Sequence, residues 1–244
     1  MSPTVVSCRI EAIETLSESV YRVFLKGDAA IIAHAPGQYL EIDIDGQWLP
    51  FSIANFHQGS GELELHVQQA PESSRSLALF DRLVAHGELT VRLPSGESVL
   101  DVDDDRPLML IAAGTGFAQM KAIVEAALAH HPDRVIHLWW AGKTRADLYL
   151  ESLARQWVSD HRNVSFTPVI EAPDEHDFDG VVARIDRALH ECVTSTREAS
   201  IFISGSPGMV YAVVDTLEAI EPLTERVFSD VFSYAPRPSA SSPS

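Results

Sequence analysis

The sequence is short of cysteine, of positive charge and of long apolar runs. Among its 244 residues only Cys8 and Cys192 carry thiols. Two cysteines are too few for a disulfide framework, an all-cysteine zinc site or an iron–sulfur cluster on four thiolates. They suit reduced thiols, hence a cytoplasmic expectation. Lysine and arginine total 18 against 35 aspartates and glutamates, a formal net charge of −17. A duplex-DNA binder needs a basic face, and docking on anionic lipid needs the same, so nucleic acid and membrane are not expected partners. No uncharged apolar stretch reaches membrane-spanning length, because Lys121 and Glu125 interrupt the longest candidate. The N-terminus lacks a basic segment followed by an apolar one, so no secretory signal is expected. No internal repeat is present. The remaining composition, 45% hydrophobic and 22% charged, is that of an ordinary globular chain long enough for one or two domains.

The first hundred residues read as strands. Segments 7–13, 20–25, 37–44, 49–55, 61–67 and 88–94 alternate or run apolar between Gly and Asp clusters. Six short strands at this spacing predict a small antiparallel barrel or sandwich, interrupted by one helix at 74–87. The acidic segment 101–107, DVDDDRP, marks a domain boundary. It lacks the glycine and closing glutamate of a calcium loop, so a solvated linker is expected. Beyond it, strands at 108–113, 135–140, 164–170, 200–205 and 225–230 alternate with helices at 117–130, 147–159, 181–192 and 208–220. That order predicts a doubly wound parallel sheet covered on both faces. The expected domains are 1–102 and 103–234, with a disordered tail at 235–244.

One stretch raises a chemical question. In LMLIAAGTGFAQM, a strand runs into Gly114-Thr115-Gly116 and restarts as a helix at Phe117. Such a turn aims backbone N–H groups and a helix N-terminus at the sheet's carboxyl edge, where an anion binds. A Rossmann fingerprint would need a third glycine at 119, where Gln119 stands, and an acidic residue after the second strand. That strand ends instead in Gly142, Lys143 and Arg145. The missing carboxylate argues equally against S-adenosylmethionine, and the basic pair suits a phosphate. A second turn, Ser204-Gly205-Ser206-Pro207, follows another apolar strand. Two such turns in one sheet face the same crevice and favour a dinucleotide lying across it. In the first domain, Ser52 beside Phe51 ends a strand; alone, that pair reads as core.

The order PFSIA, LHV, LPSGE, RPLMLIAAGTGF, LWWAGKTRADLY, ISGSPGMV and DVF resembles the ferredoxin–NADP reductase superfamily, and within it the short NAD(P)H:flavin oxidoreductases. The resemblance spans about residues 5–234. It implies a flavin-binding β-barrel followed by a pyridine-nucleotide domain. On the barrel, the motif R-x-[YF]-S falls on 49–52. The resemblance gives Ser52 the flavin N5 contact, as the catalytic residue, and puts Pro50, Phe51, Ile53, His66 and Val67 beside the flavin. His66 is read either as packing or as a flavin-edge contact. The family's phosphate-binding arginine is Leu49 here, and its usual phosphate loop has only Ser73, Ser74 and Arg75 as substitutes. These departures imply flavin (riboflavin, FMN or FAD) held loosely as a substrate.

The nucleotide motifs imply that Gly114, Thr115, Gly116 and Phe117 meet NADH or NADPH, with Gly142, Lys143 and Arg145 near a phosphate. The C-terminal turn implies Ser204, Gly205, Ser206, Pro207 and Met209 at the nicotinamide, closed from behind by Asp230 and Phe232. No iron–sulfur cluster or other metal is expected. The activity implied is hydride transfer from reduced nicotinamide to free flavin. The alternatives are a flavin-retaining reductase component serving an acceptor such as a monooxygenase, and a silent nucleotide sensor.

Overall fold

The computed structural model describes residues 3–85, 87–172, 178–223 and 225–237. The N-terminal part is a six-stranded antiparallel sheet made of β1 (Thr4–Thr15), β2 (Val20–Lys26), β3 (Tyr39–Ile44), β4 (Gln47–Ser52), β5 (Glu62–Gln68) and β6 (Glu88–Ser95), in the order β4-β3-β6-β1-β2-β5. It curls on itself. Its edge strands meet at a single bridge, Ile53 to Leu65, beside a hydrogen bond from the Ala54 amide to the Glu64 carbonyl. Inward residues such as Val23, Leu25, Leu40, Ile42, Leu65 and Val91 are fully buried. That period-two burial is what a barrel interior demands. Helix α1 (Ser74–Val84) closes one end, and its N-cap Ser73 accepts from the Ser76 amide.

The second part is a parallel sheet of β7 (Leu108–Ala113), β8 (Ile136–Gly142), β9 (Val164–Ile170), β10 (Val181–Val182), β11 (Ser200–Ser204) and β12 (Val227–Phe228), ordered β10-β9-β8-β7-β11-β12. Helices α2 (Phe117–His130) and α3 (Glu151–Asp160) cover one face; α4 (Ile185–Cys192) and α5 (Pro207–Ile220) cover the other. The chain moves from β7 to β8 on one side and returns to β11 on the other. Ligands bind at such a reversal point. The turns after β7 and β11 flank it.

Several sequence expectations shift. The helix expected from 147 starts at Glu151, because the Asp147 carboxylate caps a 3-10 turn by accepting from the Lys143 and Thr144 amides, 2.9 Å each. The helix expected from 181 starts at Ile185, since Val181–Val182 pair with β9. The strand expected over 225–230 is only Val227–Phe228, because Asp230 begins the last short helix, α6 (Val231–Tyr234). The acidic linker keeps Asp101, Asp103 and Asp105 exposed. It wraps the buried Arg134 guanidinium, which donates to the carbonyls of Arg106 (2.7 Å) and Asp101 (3.3 Å). Of the expected tail, 235–237 is anchored on α5: Tyr211 Oη donates to the Ala235 carbonyl (2.8 Å), and Arg237 pairs with Asp215 (2.6 Å). Residues 238–244 lie outside the described residues.

α2 joins the two parts. Every residue from Phe117 to Val124 is buried, which a helix tolerates only when enclosed on all sides. Its inner face packs on the sheet, with Phe117 stacked on Trp140 at 3.8 Å between centroids. Its outer face turns Gln119 toward Gly37 and Lys121 toward Glu64 on the outside of the barrel. Among the described residues no helix is long and apolar enough to cross a membrane, and no group of three or more His, Cys, Asp or Glu is placed to hold a metal.

Candidate active site

The two parts enclose a cleft of about 560 Å³, within the range of small-ligand sites. One wall is barrel: Tyr39 and Glu41 from β3, Pro50, Phe51 and Ser52 from β4, His66 and Gln68 from β5. The facing wall holds both glycine turns, Gly114-Thr115-Gly116 and Ser204-Gly205-Ser206. Ser229, Asp230, Val231 and Tyr234 form the back. Among the described residues lining the cleft there is no lysine or arginine; its charged side chains are Glu41 and Asp230.

The turns are built to lie against each other. A Cβ on Gly116 would sit 2.3 Å from the Ser204 carbonyl oxygen, so only glycine lets the β7 and β11 tips touch. Gly114 takes a φ of +52°, and its carbonyl accepts from Trp140 Nε1 at 3.0 Å. At α5, Ser206 caps the helix by accepting from the Met209 amide, and Pro207 occupies the first turn.

Gln119, which stands where a Rossmann fingerprint would need a third glycine, ties three segments together. Its amide donates to the Gly37 carbonyl (2.6 Å) and to Asp230 Oδ2 (3.0 Å). Burial pushes the Asp230 carboxyl above the usual aspartate range, against the backbone amide of Ser98, the Gln119 side chain and the amide of Glu97. Its Oδ1 is buried beside Gly96, next to the Glu97 and Ser98 amides, and the neighbouring Ser229 hydroxyl is buried as well. A flat ring fits the residues present: apolar Pro50 and Phe51 and the Ser52 hydroxyl, with Asp230 and Ser229 at the back.

Behind the barrel wall lies a buried ionic network. Lys121 Nζ from α2 donates to Glu64 Oε2 (2.8 Å), to Glu125 Oε1 (2.9 Å) and to the Ala54 carbonyl (3.2 Å). Glu64 Oε1 also meets Arg22 Nε at 3.3 Å and His66 Nε2 at 3.0 Å. An ionised carboxylate only accepts, so His66 carries its proton on Nε2, and Nδ1 accepts from Tyr149 Oη at 2.9 Å. Burial lowers the His66 pKa and keeps the ring neutral. Burial pulls Glu64 upward, but the His66 hydrogen bond and the Lys121 ammonium outweigh it and hold the carboxyl below the ordinary range. Glu125 goes the other way, raised by burial despite Lys121.

The structure thus gathers Pro50, Phe51, Ser52, His66, Gly114, Thr115, Gly116, Ser204, Gly205, Ser206 and Asp230 around one cleft. Other expected contacts are elsewhere. Ile53 and Val67 point into the barrel core, and Phe117 is fully enclosed by the Trp140 stack, so none of these side chains reaches a ligand. Pro207 and Met209 belong to the capped first turn of α5. Phe232 packs against Tyr211, centroids 6.1 Å apart, while Val231 and Tyr234 take the wall position expected of it. Gly142 ends β8 and Lys143 lies in the turn after it. Arg145 meets Glu151 at 2.9 Å and lines a separate cleft of about 550 Å³ with Leu16, Tyr149, Ile170 and Phe178.

The sequence reading missed Tyr39, Glu41, Gln68, Gln119, Ser229 and Tyr234. Only Gln119 left a signal, as the residue breaking the glycine fingerprint.

Residues 110–215 match the oxidoreductase NAD-binding domain family. The chain is 28% identical over 226 residues to the CDP-6-deoxy-L-threo-D-glycero-4-hexulose-3-dehydrase reductase of Yersinia pestis, covering 92% of this chain and 68% of that one. It is 28% identical over 236 residues to the NAD(P)H-flavin reductase of Vibrio harveyi, covering 94% of this chain and 99% of its relative. The crystal structure of the Amycolatopsis cytochrome P450 reductase GcoB superposes with a TM-score of 0.83 at 27% identity, over 94% of this chain and 71% of the other. With the barrel, the switch-point cleft and the paired glycine turns, these likenesses show a chain similar over nearly its whole length to two-domain reductases of the ferredoxin-reductase type, with an oxidoreductase NAD-binding domain at 110–215.

Proposed function

We propose that the protein is an NAD(P)H:flavin oxidoreductase that takes flavin as a diffusing substrate. The observation that carries this reading is a cleft with nucleotide-type glycine turns on one wall, a hydroxyl and an aromatic on the other, and, among the described residues, no lysine or arginine lining it. A bound flavin phosphate is normally met by arginine or lysine. A cleft whose charged groups are both carboxylates suits the neutral ring and side chain of riboflavin. The full-length likeness to a flavin reductase supports the same reading.

Reduced nicotinamide would supply a hydride to flavin N5, the flavin taking its remaining proton from water. This chemistry needs close stacking more than acid–base groups. The residues' work is therefore geometric. Gly114, Gly116 and Gly205 let the nucleotide approach the backbone, Thr115 and Ser206 present hydroxyls, and Ser204 stands at the β11 tip beside the nicotinamide. Pro50 and Phe51 support the flavin face, and Ser52 offers its hydroxyl to N5. Asp230, Ser229 and Tyr234 close the back of the cleft.

The test is oxidation of NADH and NADPH by dialysed, colourless protein with and without riboflavin. Riboflavin-dependent oxidation is expected. Activity with FMN or FAD but none with riboflavin would refute the phosphate argument.

A second reading has its own support. The matched dehydrase reductase and P450 reductase are named for partner systems. In that reading the chain keeps its flavin and passes electrons to an acceptor protein such as an oxygenase. A flavin spectrum that survives dialysis would select it.

A further inference from the structure

One row of side chains ends the barrel wall of the cleft. Tyr39 pairs with Ser52 across β3 and β4; two residues along, Glu41 pairs with Pro50 on one side and with Arg92 of β6 on the other. Pro50, Glu41 and Arg92 thus lie abreast on the outer face of the barrel. Pro50 and Glu41 line the cleft; Arg92 does not. Instead its Nε and Nη2 both donate to the Glu41 carboxylate, the latter at 2.7 Å. Its guanidinium carbon sits 4.6 Å from the centroid of Trp48. Fork-to-carboxylate pairing and stacking on an indole fix the guanidinium in place. The cation beside this end of the cleft is therefore turned onto a carboxylate, and the surface offered to a ligand is acidic.

We propose that Glu41 is a specificity residue that selects flavins without a phosphate by sequestering Arg92. This rests on the flavin-substrate reading and deepens it. With a flavin ring at the Ser52–Tyr39 row, the Glu41–Pro50 row is two strand residues away, roughly 7 Å. That distance is comparable with the reach of a ribityl chain. The nicotinamide nucleotide needs the opposite wall, which leaves this row for the flavin side chain. A terminal hydroxyl is accepted by the Glu41 carboxylate. A terminal phosphate meets that carboxylate head-on, and Arg92 is already engaged.

The experiment titrates riboflavin and FMN into dialysed protein by quenching of flavin fluorescence, without nicotinamide. The wild type is compared with Glu41→Gln, Glu41→Asp and the double variant Glu41→Gln/Arg92→Met. Wild type is expected to bind riboflavin at least as tightly as FMN. Glu41→Gln keeps the shape, removes the charge and frees Arg92. It is expected to shift the FMN-to-riboflavin preference toward FMN by about threefold or more at low salt, the scale of an exposed ion pair. The shift should shrink at high salt. Glu41→Asp should retain the wild-type preference, and the double variant should lose the gain. An unchanged preference in Glu41→Gln, a wild type that favours FMN, or a gain that persists without Arg92 each overturns the proposal. Failure of the broader reading is separate: it is a wild type that oxidises NAD(P)H with no free flavin, whatever these binding ratios are.

Discussion

Replacing Lys121 by methionine tests the ionic network that joins the two halves. The ammonium is within 3.2 Å of three oxygens: Glu64 Oε2, Glu125 Oε1 and the Ala54 carbonyl. Lys121 and Glu64 are both buried. Breaking one side of a buried pair typically costs about 3–5 kcal/mol. Here Glu64 keeps the His66 Nε2 donor and the Arg22 guanidinium 3.3 Å away, and Glu125 is partly exposed and can rehydrate. The expected loss is therefore at the lower end, about 3 kcal/mol. For a chain of this size that is a fall in Tm of roughly 6–12 °C.

The pH dependence follows from the direction of the Glu64 shift. Its carboxyl is held below its ordinary value in the folded state. The stabilisation is then complete above the unfolded value, about 4.3, and is lost as pH falls through the depressed one. The gap between wild type and Lys121→Met should narrow in acid. Glu64→Met combined with Lys121→Met removes both charges, and should recover much of the loss, with a coupling of at least about 1 kcal/mol in the double-mutant cycle. Thermal unfolding followed by circular dichroism from pH 3.5 to 8 measures all of this. A single variant within about 2 °C of wild type at neutral pH would show that the network carries no net stability, refuting the reasoning.

Gln119→Ala removes the donor to Gly37 and Asp230 and should cost about 1–3 kcal/mol in urea unfolding; an unchanged midpoint would mean those bonds are replaced by water at no cost. Asp230→Asn is expected to be at least as stable as wild type. The folded state raises the Asp230 pKa, mainly by burial, so the ionised form is disfavoured by folding at neutral pH and the amide relieves it. Turnover should fall in the same variant, and a large drop in Tm would contradict this assignment. Gly116→Ala places a methyl 2.3 Å from the Ser204 carbonyl and should abolish nucleotide binding, read by nicotinamide fluorescence. Iodoacetamide at pH 8 should label one thiol per native chain and two after unfolding. Cys192 is exposed, whereas burial and nearby Glu88 push Cys8 up to about 11; labelling of Cys8 in the native protein would count against its burial.

Local pattern made the strands of the first half readable, because each strand has one face in the barrel core and the alternation is written residue by residue. The same holds for the apolar β7 and β11 and for their glycine turns, where chain chemistry is set by neighbours in sequence. The helix starts near 147 and 181 were misplaced for a reason of the same kind at longer reach. Asp147 spends its carboxylate on two amides, and Val181–Val182 find a partner strand that no local pattern announces. Phe117 was misjudged because a motif gives position but not direction, and its ring turns inward onto Trp140.

Sequence alone therefore determined an antiparallel sheet followed by a parallel one, the order of the glycine turns and the presence of Ser52 at a strand end. All of these rest on contacts between near neighbours or on periodicity. Tertiary structure alone decided what the cleft is made of. Glu41, Gln68, Gln119, Ser229 and Tyr234 come from distant segments and share one wall system only after the sheet has curled and α2 has been enclosed. The pairing of Glu41 with Arg92, 51 residues apart, and of Lys121 with Glu64, 57 apart, depends on strand register and domain docking. Those are set by the whole packed core rather than by any stretch of chain.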